Sequence, residues 1–519
     1  MAAKFQNMME IVSLESPGVL ILGSAVSIFI AWQLYTVIYN LYFSPLSKFP
    51  GPKLWAISQL PSQITFLSGP LHLKLLAMHN RYGPVVRTAP NVVSFNSGEA
   101  FKEIYGYRPD HLRFEKHRGA YVVPYNGVDH IVSAVNHETH ARHRRLLSHV
   151  FSERELKGQE GLIRTLVDTM IIKLREKVWD GEGNNVDLAS WMNFITFDIT
   201  GDLMLGEPFG SLKDGKTHPW VESLFDSVKA LAVVGVLTQY PFLQAMARKL
   251  IPKSLSQKEA DHFNFGAQKA DQRLERGAER PDFMSAIMKN GFSEKEGRYQ
   301  ENEKIMSRSE IHSTAFLLII AGSETTATLL SGCIYYLCKT QPVMERLVNE
   351  IRTAFKSDEE ITFNEAEKLQ YLNAVIEESL RIYPPIPVGL PRIIPAGGAS
   401  VAGHYVPENT VVSGQHYAAY HSPTNFTLPD SFIPERWLGT DPRFADDKKF
   451  ALQPFSTGPR NCIGKHLAYA EIRLIICKLF FNFDINTNPE ATNWKDQKVH
   501  FLWDRPPLMV TLKERAAKN

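Results

Sequence analysis

The segment from Phe455 to Gly464, FSTGPRNCIG, constrains the fold of this chain more than any other part of the sequence. Its cysteine, Cys462, lies between Gly458 and Gly464, and glycine permits positive φ angles and close backbone approach. The residues that follow, IGKHLAYAEIRLIICKLFF, have the strong apolar face of a packed helix. Cys462 is therefore expected at a helix N-terminus, where the helix dipole and free N–H groups favour a thiolate. A flat cofactor packed against a glycine-flanked loop would suit this arrangement.

Composition narrows the class of protein. Only four cysteines occur in 519 residues, which indicates a reducing compartment rather than a disulfide scaffold. Cys333, Cys338 and Cys477 are interpreted as small buried hydrophobic residues. The formal net charge of +2 gives no sign of the basic excess typical of nucleic-acid binding. A membrane-anchored hydrolase is not supported, because no G-x-S-x-G nucleophile motif occurs.

An uncharged run lies near the N-terminus, where no Asp, Glu, Lys or Arg occurs between Glu15 and Lys48. About 20 apolar residues are enough to cross a bilayer as a helix, and aromatic residues near one end of the run are typical of a membrane interface. We predict a single N-terminal transmembrane helix over about residues 17–43, within an N-terminal segment 1–47. A buried core helix would rarely be so long and terminal, and a cleaved signal peptide would have a shorter apolar core after a positively charged start.

The residues after this run are charged and rich in proline. Lys48 and Lys53 follow it, which places its C-terminal side in the cytosol. The sequence FPGPKLW, Phe49–Trp55, cannot continue a helix because of its two prolines. A catalytic domain is predicted over residues 48–519. Most of it is typical of helix, and the extended stretches are Val85–Ala89, Asn91–Phe95, Ile386–Tyr417, Val499–Trp503 and Leu508–Leu512. The predicted fold class is mainly α with small β-sheets (α+β), in one unit.

An apolar helix is predicted around AGSETT, Ala321–Thr326. Glu324 is its only Asp, Glu, Lys or Arg between Ile311 and Cys338, and a carboxylate in such surroundings is costly unless it has a task or a partner. Gly322 and Ala321 each lie one helical turn before a threonine, so small residues there would open a groove. The alternative interpretation is a helix-packing notch with a satisfied acid.

The cysteine loop resembles the haem-binding loop of the cytochrome P-450 superfamily, F-x-x-G-x-R-x-C-x-G. Phe455, Gly458, Arg460, Cys462 and Gly464 match it. The resemblance implies the cytochrome P-450 fold, bound haem b, and Cys462 as the axial ligand of the haem iron. It makes the other four matching residues cofactor-binding candidates.

Further motifs match the family in the same order. AGSETT is similar to its oxygen-binding motif, which implies that Glu324 and Thr325 relay protons. Glu378, Arg381 and, within FIPERW, Arg436 match residues that form a buried structural ionic network in the family.

HARHRR, residues 140–145, resembles an element that binds a haem propionate. That match assigns the role to Arg144 and to His140, where tryptophan is common. By analogy, Arg392 is a further propionate ligand. The analogy also places substrate contacts in three stretches, Phe114–Val123, Phe316–Ala321 and Ile386–Leu390. The pocket residues expected from them are Phe316, Ala321 and Val388.

The resemblance implies a haem-dependent monooxygenase that inserts one oxygen atom from O₂ into a lipophilic small molecule. Electrons would come from NADPH through a separate NADPH-cytochrome reductase, with cytochrome b5 as a second donor, and Arg142, Arg145 and Lys465 are candidate docking residues. The implied location is the endoplasmic reticulum membrane, single-pass, with the catalytic domain in the cytosol. The overall pattern is most similar to fungal microsomal members of secondary metabolism. Two alternatives stay open: an isomerase or dehydratase of the same fold that does not activate O₂, and a non-enzymatic haem sensor or carrier.

Overall fold

The N-terminal helix stands apart from the body of the protein. The computed structural model describes residues 17–109, 112–121, 124–179, 185–221, 233, 235–237, 240, 253–277, 280–289, 292–293 and 305–515. Helix α1, Pro17–Ile38, passes directly into a π-helical turn, Tyr39–Phe43. Leu20–Phe43 is apolar, buries none of its most hydrophobic window, and is long enough to span a membrane.

Helices are the main secondary structure of the described residues that follow. In order they are α2 (Lys53–Ile57), α3 (Leu60–Ser68), α4 (Leu71–Tyr82), α5 (Gly98–Tyr105), α6 (His137–Ser148), α7 (Glu153–Trp179), α8 (Leu188–Leu205), α9 (Ser211–Asp214), α10 (Lys253–Glu275), α11 (Phe283–Lys289), α12 (Arg308–Lys339), α13 (Gln341–Ala354), α14 (Phe363–Glu367), α15 (Gln370–Ile382), α16 (His416–Tyr420) and α17 (Lys465–Asn482).

The strands are short and come from distant parts of the chain. They are β1 (Val85–Ala89), β2 (Val92–Phe95), β3 (Glu115–Lys116), β4 (Asn185–Asp187), β5 (Phe292–Ser293), β6 (Met306–Ser307), β7 (Arg392–Ile393), β8 (Ala399–Val401), β9 (His404–Val406), β10 (Val411–Gly414), β11 (Phe483–Thr487), β12 (Lys498–His500), β13 (Leu502–Asp504) and β14 (Met509–Glu514). A five-stranded sheet has the order β1-β2-β10-β7-β3, with β2 and β10 parallel. A three-stranded antiparallel sheet has the order β11-β14-β4.

The core is centred on α12, which packs along α8. At 1.5 Å per residue, the 32 residues of α12 make a rod of about 48 Å. It begins with a reciprocal capping box between Ser307 and Glu310. Helix α12 is long and apolar enough to cross a membrane, but 67% of its most hydrophobic window is buried inside the protein. It is therefore a core helix, and α1 is the exposed one.

The predicted fold class is confirmed: the body is mainly helical with small sheets. Strand β1 has the predicted bounds, and the second predicted strand begins one residue late, at Val92. The extended region predicted to end at Tyr417 ends earlier, at Gly414, because α16 forms there. The Tyr417 N–H donates to the Pro387 carbonyl (2.9 Å), so this short helix is held by a segment outside the sheet.

Candidate active site

The cysteine loop is built on one glycine that no other residue could replace. Gly458 has φ +76°, and a Cβ there would lie 2.1 Å from the Tyr105 carbonyl oxygen. The loop is closed by a hydrogen bond from the Cys462 N–H to the Phe455 carbonyl (2.8 Å). A Cβ at Gly464 would meet only Phe151, at 3.8 Å. The protein itself therefore requires glycine at 458 and has room for a side chain at 464.

Cys462 is an exposed residue, whereas Cys333, Cys338 and Cys477 are buried. Protein atoms nevertheless surround Cys462 closely, and burial raises the pKa of its thiol. The Gly464 N–H and the charges of Arg144 and Lys465 lower this pKa, but burial outweighs them. The Gly464 N–H at the start of α17 thus acts in the direction expected from the sequence, but in the protein alone burial has the larger effect on this pKa. A bound metal ion would supply the missing stabilisation, because a coordinating thiol is deprotonated.

Cationic side chains converge near this loop without acidic partners. Arg144 donates to the Asn461 carbonyl (2.5 Å) and side chain (2.7 Å), and Arg460 donates to the carbonyls of residues 134 and 135 (2.6 and 2.7 Å). Among the described residues, no carboxylate lies within ion-pair distance of Arg144, Arg392, Arg460 or Lys116. Burial, Arg460, Lys116 and Arg144 together lower the pKa of His140 to about 2. Burial is the largest of these causes, and the three basic side chains add to it; a bound anion would relieve their mutual repulsion.

Lys116 belongs to this cluster, and the sequence did not single it out. It is 5% exposed, donates to the Val132 carbonyl (2.6 Å), and lies over the Tyr121 ring (4.8 Å). Burial, Arg460 and Arg392 lower its pKa to about 6. Arg392 itself donates to the Tyr121 hydroxyl (2.7 Å). Pairing of β3 with β7 places Lys116 opposite Arg392, a proximity that the sequence separation concealed.

Helix α12 has an exposed side at Ala321 and a buried side that packs against α8. Ala321 is exposed and Thr325 is half-buried, although most of the helix around them is buried. The Thr325 hydroxyl donates to the Ala321 carbonyl (2.8 Å). Gly322 faces α8, since a Cβ there would lie 2.6 Å from the Thr200 methyl carbon. Of the two small residues expected to open a groove, Ala321 is therefore exposed, whereas Gly322 serves helix packing against α8.

Glu324 lies on a buried face of the same helix. It is 2% exposed and forms an ion pair with Arg505, whose guanidinium is 3.0 and 3.1 Å from the two carboxylate oxygens. Arg505 also donates to the Asn193 side chain of α8 (2.8 Å). Burial raises the pKa of Glu324, and Arg505 acts against that rise. The acid of this motif therefore has a structural partner, which the sequence did not indicate.

Glu378, Arg381 and Arg436 are brought together in the core, all with fully buried side chains. Arg381 donates two bonds to Glu378 (2.7 and 2.9 Å), and Arg436 donates one (3.1 Å). Asp447, which the sequence did not single out, pairs with Arg436 and accepts from the Thr427 N–H (2.7 Å). Two carboxylates thus balance two guanidinium groups in the protein interior.

The pocket candidates are apolar and partly packed. Phe316 is half-buried, with its ring 5.9 Å from that of Phe263. Val388 is 7% exposed, and its carbonyl accepts a hydrogen bond from the His416 ring (2.9 Å). Residues 122 and 123, at the end of the stretch expected to contribute substrate contacts, lie outside the described residues.

These residues fit an iron porphyrin. Cys462, as an exposed cysteine, would hold the iron through its sulfur. The cations without carboxylate partners suit the propionates, and Ala321 leaves space on the central helix. Phe455, whose ring lies 5.2 Å from that of Tyr469, supports the loop from the protein side.

Comparison with known proteins shows the family of the chain. Residues 49–512 match the family model described as cytochrome P-450. The chain is 43% identical over 489 residues to the cytochrome P-450 monooxygenase astJ of Aspergillus oryzae, covering 94% of this chain and 95% of that protein. It is 40% identical to the trichothecene C-15 hydroxylase of Fusarium sporotrichioides (93% and 96% covered) and 40% identical to the averantin hydroxylase of Dothistroma septosporum (94% and 90% covered).

These relatives are named for oxygenation, so they favour a haem monooxygenase over the isomerase, dehydratase and carrier alternatives. The family implies a haem cofactor, a redox partner and a small-molecule substrate. This chain belongs to the cytochrome P-450 family of haem-dependent monooxygenases.

Proposed function

We propose that the protein hydroxylates, or oxidises in a related way, a lipophilic fungal secondary metabolite, with haem b held by Cys462. The observation that carries this proposal is the exposed Cys462 beside three arginines that have no acidic partners among the described residues. The propionates would be bound by Arg144, Arg392 and Arg460, and by His140 and Lys116, which lie in the same cluster and whose low pKa values leave them largely neutral until an anion binds. Glu378, Arg381 and Arg436 have a structural role.

Haem, when bound, supplies the activation of O₂ that inserts one oxygen atom into the substrate. The residues of the chain that would supply protons to this chemistry are Thr325 and Glu324. The Thr325 hydroxyl can exchange its bond to the Ala321 carbonyl for one to a ligand, because the two lie on the accessible part of α12. Glu324 can supply protons only after its ion pair with Arg505 loosens, since both oxygens are engaged there.

The substrate is proposed to be apolar because Phe316 and Val388 offer no charged group. An apolar lining is a general property of small-molecule pockets, so the relatives carry the further assignment to secondary metabolism. Two of these relatives are a trichothecene C-15 hydroxylase and an averantin hydroxylase.

Electrons are proposed to come from NADPH through a separate NADPH-cytochrome reductase, with cytochrome b5 as a second donor. Arg145 and Lys465 are exposed and are the proposed docking residues. Arg142 is withdrawn from this role because it is 14% exposed and pairs with Glu310. The proposed location is the endoplasmic reticulum membrane, with α1 in the bilayer, segment 1–47 as the anchor region and 48–519 as the cytosolic catalytic domain.

The proposal is tested by reconstitution with a reductase and NADPH. A lipophilic substrate should stimulate NADPH consumption and yield an oxygenated product. Thr325→Ala should divert most of the NADPH to hydrogen peroxide, since a positioned proton donor contributes roughly 10²–10⁴ in rate. Thr165→Ala is the matched control, because Thr165 makes the same 2.8 Å bond to a carbonyl four residues earlier, on the exposed face of α7. Unchanged coupling in Thr325→Ala would refute the assigned role of Thr325.

A further inference from the structure

The junction between α1 and the five-stranded sheet is packed against the protein and is not a flexible linker. The π-helical turn Tyr39–Phe43 is closed by a backbone hydrogen bond of 2.7 Å from Ser44. Asn40, Ser44, Leu46 and Phe49 are buried, although they connect an exposed helix to the catalytic domain. A flexible linker between domains would leave such residues in solvent.

Arg87 of β1 lies at the centre of this junction and is 1% exposed. Its guanidinium donates to the Asn40 carbonyl (2.6 Å) and to the Asn40 side chain (3.1 Å). It also donates to the Pro90 carbonyl (2.7 Å) and reaches the Ser44 hydroxyl at 3.5 Å. One side chain of the sheet thus holds both the backbone and the side chain of the anchor's last turn.

The charge of Arg87 is balanced in an unusual way. Among the described residues, no carboxylate lies within ion-pair distance of it. A buried charge is expensive unless it is partnered, and here the partners are neutral oxygens at the C-terminal end of a helix. That end carries a partial negative charge that stabilises a cation. The anchor's last turn therefore stabilises a charge that the sheet alone would leave buried and uncompensated.

The main chain of Arg87 holds the junction from its other side. Its N–H donates to the Pro50 carbonyl (2.8 Å). A Cβ at Gly51 would lie 2.3 Å from the Arg87 carbonyl oxygen, so the proline–glycine segment is pressed against β1. The proline–glycine segment that ends the helical run is thus fastened to the body.

We propose that Arg87 locks the anchor helix to the catalytic domain, so that the two form one rigid body with a fixed tilt on the bilayer. This inference rests on the proposed embedding of α1 in a membrane. The 22 residues of α1 span about 33 Å, so a rigid joint makes the lipid-embedded helix the element that orients the site. A hinged joint would let the domain rotate while the helix stayed in place.

The test uses the full-length haem protein in phosphatidylcholine nanodiscs. Polarised absorption of oriented bilayers measures the tilt of the haem plane, and limited trypsin digestion at Lys48 measures opening of the junction. Lys48 is exposed, but its neighbour Phe49 is buried, so cleavage requires local unfolding. Arg87→Met should broaden the tilt distribution and speed cleavage by about tenfold or more, because cleavage follows the population of the open state. Arg81→Met, at an exposed arginine of α4, should change neither.

Asn40→Ala provides a second variant that leaves the catalytic domain intact, in case Arg87→Met does not fold. It removes one of the two Asn40 acceptors and should shift both readouts in the same direction by a smaller amount. Wild-type tilt and wild-type cleavage in Asn40→Ala, or in a folded Arg87→Met, would overturn the proposal. Failure of the wild-type protein to float with phosphatidylcholine vesicles would overturn it as well, without bearing on haem binding.

Discussion

Replacing Glu378 by glutamine should destabilise the folded protein strongly. The Glu378 carboxylate accepts two bonds from Arg381 and one from Arg436, together with the Trp437 ring N–H (2.9 Å) and the Ile433 backbone N–H (2.9 Å). The four charged side chains of this network sum to zero, because Asp447 is the second carboxylate. Neutralising Glu378 therefore leaves one uncompensated positive charge in a fully buried site. Breaking such a pair costs roughly 3–5 kcal/mol.

The control is an ion pair with the same spacing on the surface. Glu365 and Lys368 are also three residues apart, with side chains 48% and 67% exposed and a contact of 2.6 Å. Exposed pairs contribute about 0–1 kcal/mol, so Glu365→Gln should be nearly neutral. Since about 3 kcal/mol changes the ratio of folded to unfolded protein more than a hundredfold, the two variants should separate clearly.

The assay is urea unfolding of the full-length protein in detergent, followed by tryptophan fluorescence and by the haem Soret band. Glu378→Gln should lower the unfolding midpoint far more than Glu365→Gln, and it should lower the yield of haem-bound protein. A midpoint shift no larger than that of Glu365→Gln would refute the reasoning, because it would mean that the buried charges relax or are hydrated without cost.

Three further predictions follow from the same contacts. Gly458→Ala should abolish stable haem incorporation, measured by the Soret band of the purified protein, whereas Gly439→Ala, with a similar φ of +73° but nothing within 4 Å of a new Cβ, should retain it. Burial raises the pKa of Glu471 to about 8, so the unfolded chain loses this proton at lower pH than the folded chain. The free energy of unfolding should therefore fall as pH rises toward about 8. Glu471→Gln should reduce this pH dependence, measured by urea titrations at about pH 6 and pH 9. Replacing Arg145 and Lys465 by glutamate should slow reduction by the reductase in stopped-flow experiments and leave the haem content unchanged. High salt screens exposed charges, so it should narrow the difference in rate between the variant and the wild type. A difference that stays as large at high salt would argue against electrostatic docking.

The fold class could be predicted because its signals are local. The uncharged run before Lys48 and the β-branched residues of Val85–Ala89 can be recognised within a few residues, and the structure has a helix and a strand at those places. Helix α16 was missed because its five residues, His416–Tyr420, lack a helical period and are held by a distant carbonyl.

The site was predictable only where a motif is continuous. Cys462 and Gly458 lie in one loop, but Arg505 reaches Glu324 across 181 positions, and Lys116 meets Arg392 through strand pairing. Asp447 has no pattern around it that marks it as the partner of Arg436. Such residues share no local pattern, since their roles arise from tertiary packing. The direction of the Cys462 pKa also needed the structure, because burial competes with the helix terminus and prevails.

The central claim, that Cys462 binds haem iron through its sulfur, is tested most directly by the carbon monoxide difference spectrum of the reduced protein beside Cys462→Ser. The wild-type protein should show the red-shifted Soret band of a thiolate-ligated haem, and the variant should lose it. Cys477→Ser, at a buried cysteine of α17, should retain the band. Haem that binds without this band, or a band that survives in Cys462→Ser, would contradict the account.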